Sequence, residues 1–256
     1  MTKGIFRMSQ NQQMILIDGD SIAHIAAYTG ETLEEAKDVV DNTMDRIKSI
    51  TWEGNYELYV ETPVLPKVNF RHQVAITKPY KGHRTGGKPA LLNDIKKYMY
   101  DRYGAEFINM VEAEDVVRIR AVQLGEEGCI IAHIDKDLDQ IPGYHYNYKK
   151  GETSEVTHDE ADYNFYKQML TGDAVDNIPG LTGFGPKKSS YLLDPIRGRG
   201  ERAYAEAVAK AYITKGCSYN YLVEQARLLY LIKSFTDVFI YPITIKEYHN
   251  LQEFYL

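Results

Sequence analysis

The chain has little of what several common protein classes require. Among its 256 residues only Cys129 and Cys217 are cysteines. Two isolated thiols make neither a disulfide framework nor a zinc-binding set, so a reducing compartment, the cytoplasm, is expected. No run of about 18 apolar residues occurs, so neither a transmembrane helix nor a membrane partner is expected. The opening residues Met1-Thr2-Lys3-Gly4 lack the apolar stretch of a secretory signal. No internal repeat or low-complexity tract stands out. The most informative absence is local. Residues 62–93 contain no Asp or Glu, yet carry Lys67, Arg71, Lys78, Lys81, Arg84 and Lys88. A second basic group is Lys187, Lys188, Arg197, Arg199 and Arg202. The net charge of −6 argues weakly against a polyanionic partner, but distribution matters more than the sum. An acidic chain with basic islands can hold a polyanion at the islands and spend its carboxylates on metal. A merely solvated basic surface is the alternative.

What the chain does have is an ordered alternation of strand and helix signals. Met14-Ile15-Leu16-Ile17 is a short apolar run ending at Asp18-Gly19-Asp20 and reads as a buried parallel strand followed by a turn. Residues 21–28 and 32–49 read as helices, the second opening with Thr32 and Glu35 at capping-box spacing. Residues 56–60, 107–111, 129–133 and 144–148 read as further strands, and 91–103 and the stretch from Glu112 to Leu124 as helices. The Gly- and Pro-rich segment from Tyr80 to Pro89 is expected to be mobile until something binds it. From His158 onward the pattern is mainly helical, with a long helical stretch over 201–233 broken near Gly216. This order predicts an α/β fold, a mostly parallel central sheet flanked by helices. The expected division is an α/β core over 1–157, with the acid-free basic segment at 62–93, and a helical region over 158–256.

Several predicted strands end in acids: Asp18 and Asp20, then Glu61, then Glu112 with Glu114 and Asp115, then Asp135 and Asp137. In open α/β sheets ligands bind beyond the carboxyl ends of the strands, so these carboxylates would converge on one crevice. Like charges brought close repel and raise one another's pKa. Hard divalent cations such as Mg²⁺ or Mn²⁺ remove that cost. Any one of these acids alone is more readily read as a helix N-cap than as a ligand; it is the four strand ends together that favour ligands. Asp135-Lys136-Asp137 is the more specific pattern, because alternate residues of an extended segment share a side. Asp173 and Asp176, three apart, share a face if their segment is a helical turn.

Directly after them runs Ile178-Pro179-Gly180-Leu181-Thr182-Gly183-Phe184-Gly185-Pro186-Lys187-Lys188. Gly180, Gly183 and Gly185 permit a tight turn between helices. The following helix N-terminus with Lys187 and Lys188 is an anion site, with phosphate the expected anion. A simple helix cap and loop is the alternative. The Gly-Lys-Ser/Thr ending of a nucleotide-hydrolase phosphate loop is absent.

These motifs, taken together, resemble the flap endonuclease / 5′-3′ exonuclease family, especially its compact bacteriophage members and the 5′-nuclease domain of bacterial DNA polymerase I. The resemblance runs in order from Met14 to about Leu193. Its most specific segment is Gly-Asp-x-x-Asp-Asn-Ile-Pro-Gly at 172–180, continuing as Gly183-x-Gly185-x-Lys187. Glu112-Ala113-Glu114-Asp115 matches the family's Glu-Ala-Asp-Asp, Asp135-Lys136-Asp137 its Asp-x-Asp strand end, and Asp18 its first aspartate. Tyr80-Lys81-Gly82-His83-Arg84 matches its arch signature Tyr-Lys-Gly-x-Arg. The sequence departs from the pattern at Glu61 and Glu114, where the family usually has Asp, and at His24 and Ile25, near where it often has Arg.

The resemblance implies a PIN-like 5′-nuclease core with a helical arch, and a helix-hairpin-helix (helix-3-turn-helix) element at 172–193. It implies two divalent ions over the scissile phosphodiester. One is expected near Asp18, Glu61, Glu112 and Glu114, the other near Asp135, Asp137, Asp173 and Asp176, with Asp115 supporting either through water. Two ions about 4 Å apart activate a water and stabilise the leaving oxygen. Lys81 and Arg84 are the implied arch cations, on one face if that segment is helical. Tyr80 is implied as a stacking platform for an unpaired base, although for Tyr80 alone packing is the better reading in a chain of 21 tyrosines. The loop from Gly180 through Gly183 and Gly185 to Lys187 and Lys188 is implied to grip duplex backbone, and its carbonyls to hold K⁺. The expected partner is DNA with a duplex and a 5′ single strand or 5′ end, with RNA–DNA hybrid as a further substrate and the protein a monomer. The setting is DNA replication or repair, in the host cytoplasm for a bacteriophage protein. Two other classes stay open: a DNA-structure-binding protein with weakened chemistry, and a PIN-like ribonuclease. The duplex-binding loop argues against the second.

Overall fold

The computed structural model describes residues 14–51, 54–63, 69–84, 86–125 and 128–255. Residues 1–4 and Lys67, both used in the sequence reading, lie outside them. Strand β1 (Met14–Asp18) is the apolar run read from the sequence, and its last four residues are buried. It lies inside a six-stranded sheet of order β3-β2-β1-β4-β5-β6, with β2 at Tyr56–Glu61, β3 at Glu106–Ile108, β4 at Cys129–His133, β5 at Gly143–Asn147 and β6 at Glu152–Val156. All pairings are parallel except β5 with β6. The chain builds outward from β1 to β2 and β3, then returns to the other side of β1 for β4. That reversal places a crevice beyond the carboxyl ends of β1 and β4, where such sheets bind ligands.

Two strands differ from expectation. Strand β6 was missed because Glu-Thr-Ser-Glu-Val is exposed along most of its length and shows no apolar alternation. It is held by a turn in which Asn147 Oδ1 accepts the N–H groups of Lys149 and Lys150 at 3.2 and 2.9 Å. Strand β3 stops at Ile108, three residues short of the predicted end.

Helices cover both faces. Helices α1 (Gly19–Thr29), α2 (Leu33–Lys48) and α4 (Leu92–Tyr103) bury Ala23, Val40, Met44 and Ile95 against Ile15, Ile17 and Ile130. Thr32 caps α2 by accepting from Glu35 N–H at 3.3 Å, while the Glu35 carboxylate accepts from Glu31 N–H at 2.9 Å. The expected capping pair therefore forms, shifted by one donor. On the other face α5 (Ala113–Leu124) packs Val117 and Ala121 against Leu16 and Ile131.

The second half is helical: α6 (His158–Thr171), α7 (Pro186–Leu193), α8 (Glu201–Thr214), α9 (Tyr219–Leu229) and α10 (Ile245–Tyr255). Its core is rich in tyrosine whose hydroxyls reach backbone carbonyls: Tyr212 to Met169 O at 2.6 Å, Tyr241 to Ala205 O at 2.9 Å, Tyr248 to Cys217 O at 2.8 Å. Buried hydroxyls so paired keep the apolar gain of the ring without a desolvation penalty. This core also takes in Tyr80 and Val74 from the acid-free segment, so the helices α8 and α9 help to support that segment.

Within the described part of 62–91, the only helix is the single turn α3 (Arg71–Val74). Lys81 and Arg84 sit in a turn, with Lys81 at φ 53°. The expected helical arch is thus not the form seen. Arg71 is the base of this segment and is almost fully buried. Its guanidinium meets Asp115 of α5 through two hydrogen bonds of 2.6 and 2.9 Å and also donates to Leu228 O and Tyr230 O at 3.0 and 2.8 Å. One side chain therefore joins the acid-free segment, the acidic helix and the end of α9. Removing one partner of a buried pair leaves a charge without compensation, at a cost of about 3–5 kcal/mol. Arg71→Ala is expected to lower the unfolding free energy by about that amount in urea titration. A loss below about 1 kcal/mol would show that the pair is dispensable.

Candidate metal centre and nucleic-acid interface

Each strand-end acid is placed by a local backbone demand. Asp18 ends β1 and caps α1, its carboxylate accepting from Ser21 Oγ at 2.6 Å and Asp20 N–H at 3.2 Å. Glu61 ends β2, where its N–H donates to Asp20 Oδ1 at 2.8 Å and its carbonyl accepts from Lys96 Nζ at 3.0 Å. Glu112 is the N-cap of α5, and Glu114 stands in its first turn. Asp135 caps a 3-10 turn over Lys136–Gln140 and accepts from Asp137 N–H at 2.9 Å. The helix-cap reading and the converging-ligand reading of these acids are therefore compatible. The caps fix where the carboxylates stand, and the sheet brings them together.

Several placements differ from the sequence reading. Asp135 and Asp137 are related by a turn and not by an extended segment, because Asp135 satisfies the free N–H of Asp137 itself. Asp173 and Asp176 are not on a helix. Asp173 Oδ1 accepts from Val175 and Asp176 N–H at 2.7 and 3.2 Å, and its backbone bridges to Ile178. Asp115, expected to support a metal through water, is fully buried. Its oxygens are taken by Arg71, Glu112 N–H and Ile232 N–H, so it orients α5 instead of facing the crevice. Tyr80 is buried and not offered to a base. Its hydroxyl lies 2.6 Å from Asp176 Oδ2 and 3.0 Å from Glu112 Oε2.

The basic segment folds onto these acids. Lys81 Nζ is 2.5 Å from Glu112 Oε1 and 3.4 Å from Asp176 Oδ2, and Arg84 reaches Asp176 Oδ1 at 2.8 Å. This pairing explains why Lys81 and Arg84 leave a helical spacing: opposite charges in a half-buried site outweigh the local preference. Lys81 N–H donates to Asp176 O at 2.9 Å, and Asn177 Nδ2 donates to Pro79 O at 2.9 Å. Both Lys81 and Asn177 have positive φ, 53° and 62°. Such backbone strain persists only where surroundings enforce it.

The electrostatics carry the mark of crowding. Asp18 is pushed up to about 7, first by burial and then by Asp20 and Asp135. Asp137 is also pushed up to about 7, by burial and then by Asp135 and Asp173. Glu114 is raised well above its ordinary value by burial, then by Glu112, Asp135, Asp18 and Asp137. Asp173 is the exception: against the upward push of burial, its bond to Lys136 Nζ at 2.8 Å draws it down. Acids from β1, α5 and the turn after β4 thus lie close enough to repel one another, although among the described residues no three of them bring an oxygen each within 4.8 Å of the others. Among the described residues Glu114 has no hydrogen-bond or ion-pair partner. An all-oxygen donor set held against its own repulsion, with one carboxylate unpartnered, fits a hard divalent cation.

Sequence reasoning missed three supporting groups. Lys96 of α4 pairs with Asp20 at 2.8 Å, Gln168 of α6 donates to Asp137 Oδ1 at 2.6 Å, and Arg71 holds Asp115. Lys96 lies on the buried stripe of α4 with Leu92, Ile95 and Met99. A lysine on an apolar helical face was the available signal.

The glycine-rich loop joins α6 to α7. Gly172 and Gly180 pack backbone to backbone: a Cβ on Gly180 would stand 2.3 Å from Gly172 N. Gly180 N–H donates to Gln225 Oε1 at 3.0 Å and its carbonyl accepts from Tyr221 OH at 2.7 Å. Gly183 has φ 81°, and Gly185 caps α7, whose first residue is Pro186. Lys187 and Lys188 are exposed on its first turn. This is the local geometry of an anion-binding helix start.

The raised acids set a sign for stability against pH. Asp18 and Asp137 titrate near 4 when unfolded and near 7 when folded. Between those values the folded form binds more protons, so these groups lower stability as pH rises through that window. A divalent ion binds the deprotonated form. The increase in Tm on adding Mn²⁺ is therefore expected to be larger at pH 8 than at pH 5, and equal increments would contradict the assignment. Glu114→Gln is expected to raise Tm without added metal at pH 8 while shrinking the Mn²⁺ increment.

No family model matches the chain. It is similar to a 5′-3′ exonuclease of Buchnera aphidicola subsp. Baizongia pistaciae, at 27% identity over 256 residues covering 90% of this chain and 82% of that protein. It is 29% identical to DNA polymerase I of Bacillus caldotenax over 211 residues, 71% of this chain but only 23% of that much longer protein. It is 30% identical to flap endonuclease Xni of Shewanella piezotolerans over 166 residues, 58% of this chain and 59% of that one. The resemblance read from the motifs is borne out by these relatives. Among solved structures it is similar to the bacteriophage T5 5′-exonuclease with bound zinc ions, with TM-score 0.57, 16% identity, and 85% and 89% of the two chains covered. It is also similar to a bacteriophage T5 flap endonuclease in a pseudo-enzyme-product complex with DNA and metal ions, with TM-score 0.55, 14% identity, and 85% and 89% covered. At those identities the likeness establishes the fold: a mostly parallel six-stranded sheet flanked by helices.

Proposed function

We propose that this chain is a divalent-metal-dependent 5′ nuclease that hydrolyses phosphodiester bonds of DNA at a 5′ end or 5′ flap. The observation that carries the reading is the convergence of Asp18, Glu112, Glu114, Asp135 and Asp137 at the carboxyl ends of β1 and β4, with Asp18, Glu114, Asp135 and Asp137 raised by burial and mutual repulsion. The names of its relatives give the same chemistry. The residues that would hold metal are these five, with Glu61, Asp173 and Asp176 around them. Mg²⁺ or Mn²⁺, two per site, would supply charge neutralisation at the attacked phosphate and a water of lowered pKa.

The protein's own groups have distinct tasks in this reading. Arg71 holds Asp115, and through it the start of α5, so that Glu112 and Glu114 point into the crevice. Tyr80 ties Glu112 to Asp176. Lys81 and Arg84 are the cations that a substrate phosphate takes from Glu112 and Asp176, releasing those carboxylates as it arrives. Lys136 and Gln168 orient Asp173 and Asp137. The loop at Gly180, Gly183 and Gly185, with Lys187 and Lys188, grips duplex backbone without reading sequence. It acts as the helix-hairpin-helix element. K⁺ on its carbonyls belongs to the same reading, although the Gly180 carbonyl accepts from Tyr221 and that of Leu181 from Phe184 N–H at 3.0 Å. The protein acts as a monomer, and RNA–DNA hybrid is a further substrate.

Incubation with Mg²⁺ and a labelled 5′-flap duplex is the test. Cleavage near the junction is expected, abolished by EDTA and by Asp135→Asn. Lys81→Ala is expected to lower kcat on the order of 10²–10³-fold with Kd for the flap little changed. Tight flap binding without cleavage would favour a DNA-structure-binding protein, and preferential cleavage of single-stranded RNA would favour a PIN-like ribonuclease.

A further inference from the structure

Beside the carboxylate crevice lies a second cluster that the nuclease reading does not use. His133 ends β4, His145 is on β5, and Asp139 is in the 3-10 turn between them. The strand register pairs His133 with Asn147. His145 is therefore its diagonal neighbour on the same face of the sheet. Both imidazoles are buried and Asp139 is half-buried. Among the described residues this is the one group of three potential ligands whose donor atoms all lie within 4.8 Å of one another.

The hydrogen bonds fix the ring tautomers. His133 Nδ1 lies 2.6 Å from Asp135 O, and His145 Nε2 lies 2.8 Å from Ile141 O. A carbonyl oxygen only accepts, so both outer nitrogens must carry hydrogen. The inner nitrogens, His133 Nε2 and His145 Nδ1, are then both bare in the neutral rings. They face each other at 2.7 Å. Two lone pairs aimed at one another in a buried place need a positive centre between them. Asp139 Oδ1 stands 3.9 Å from His133 Nε2 and supplies a negative ligand on the same side.

We infer that His133, His145 and Asp139 form a binding site for a divalent transition-metal ion of the zinc type, separate from the carboxylate crevice. Two imidazoles and one carboxylate select zinc or cobalt over magnesium. Each imidazole donates its other N–H to a backbone carbonyl, the outer arrangement that orients metal-bound histidine. Tetrahedral ligation at ~2.05 Å needs the two nitrogens about 3.3 Å apart, an opening of roughly half an ångström. The exposed side of Asp139 leaves the fourth position to water. Such an ion would join β4, β5 and the turn that presents Asp135 and Asp137, and so would stiffen the carboxylate centre from beneath.

The test reads no cleavage, so it stands apart from the nuclease reading. The full-length protein, stripped with chelator and held in excess Mg²⁺ to fill the carboxylate crevice, is titrated with Co²⁺. One equivalent is expected to give the strong visible absorption of nitrogen-ligated, low-coordinate cobalt, and one equivalent of Zn²⁺ to erase it. Asp173→Asn, in the carboxylate crevice, is expected to leave the band intact, whereas His145→Gln removes it. Should His145→Gln fail to fold, Asp139→Asn decides, with cobalt affinity lowered at least tenfold. Absence of a band at equimolar Co²⁺ overturns the proposal, as does a band lost in Asp173→Asn but kept in His145→Gln or Asp139→Asn. Histidine ¹⁵N NMR showing a proton shared between the two rings and unmoved by one equivalent of Zn²⁺ also overturns it.

Discussion

The bidentate pair of Arg71 with Asp115 is the constraint on which the candidate site depends. It is buried, so neither charge can turn to water if the other is lost. Asp115 also accepts the N–H of Glu112, the cap of the helix that carries Glu114. Arg71 also donates to carbonyls at the end of α9. A single ion pair thus sets the angle of the acidic helix, anchors the base of the basic segment and attaches the C-terminal helices. Its role is geometric: it positions other charges, with its own charge neutralised.

Around that anchor the molecule balances two kinds of charge. The crevice beyond β1 and β4 collects carboxylates that repel one another, and the acid-free segment lays Lys81 and Arg84 across two of them. Among the described residues Glu112 and Asp176 form ion pairs with Lys81 and Arg84, whereas Asp18, Asp137 and Glu114 are raised by burial and then by neighbouring carboxylates. These three come from different elements and meet only in the fold. Glutamate at 61 and 114 changes reach but keeps charge. Glu114 is raised by burial and then by Glu112, Asp135, Asp18 and Asp137, an environment that a cation would relieve.

The sheet was legible in the sequence because buried parallel strands are short apolar runs, and the runs at Met14 and Cys129 ended where the structure ends them. The acids at strand ends were legible as a set, since the carboxyl-end rule needs only their order. Their local geometry was not. Asp135 and Asp137 looked like an extended pair and form a turn; Asp173 and Asp176 looked helical and form a loop held by Asp173's own side chain. Spacing in sequence cannot distinguish these cases when a carboxylate can satisfy the backbone beside it. Asp115 was legible as a residue of the site but not as a buried one, and packing was the better reading of Tyr80; what stayed hidden was their partners Arg71 and Asp176, 44 and 96 positions away. The edge strand β6 was invisible for the opposite reason: an exposed strand has no apolar pattern to display.

The central claim is that the crowded carboxylates form a divalent-metal centre to which DNA phosphate is brought by Lys81 and Arg84. A crystal structure of the protein with Mn²⁺ and a 5′-flap duplex tests it most directly, through the anomalous signal of the metal. The account predicts Mn²⁺ bound by Asp18, Glu112, Glu114, Asp135 and Asp137, with Lys81 moved from Glu112 to a DNA phosphate. A crevice without manganese, in which Lys81 still pairs with Glu112 while the DNA lies elsewhere, would contradict it.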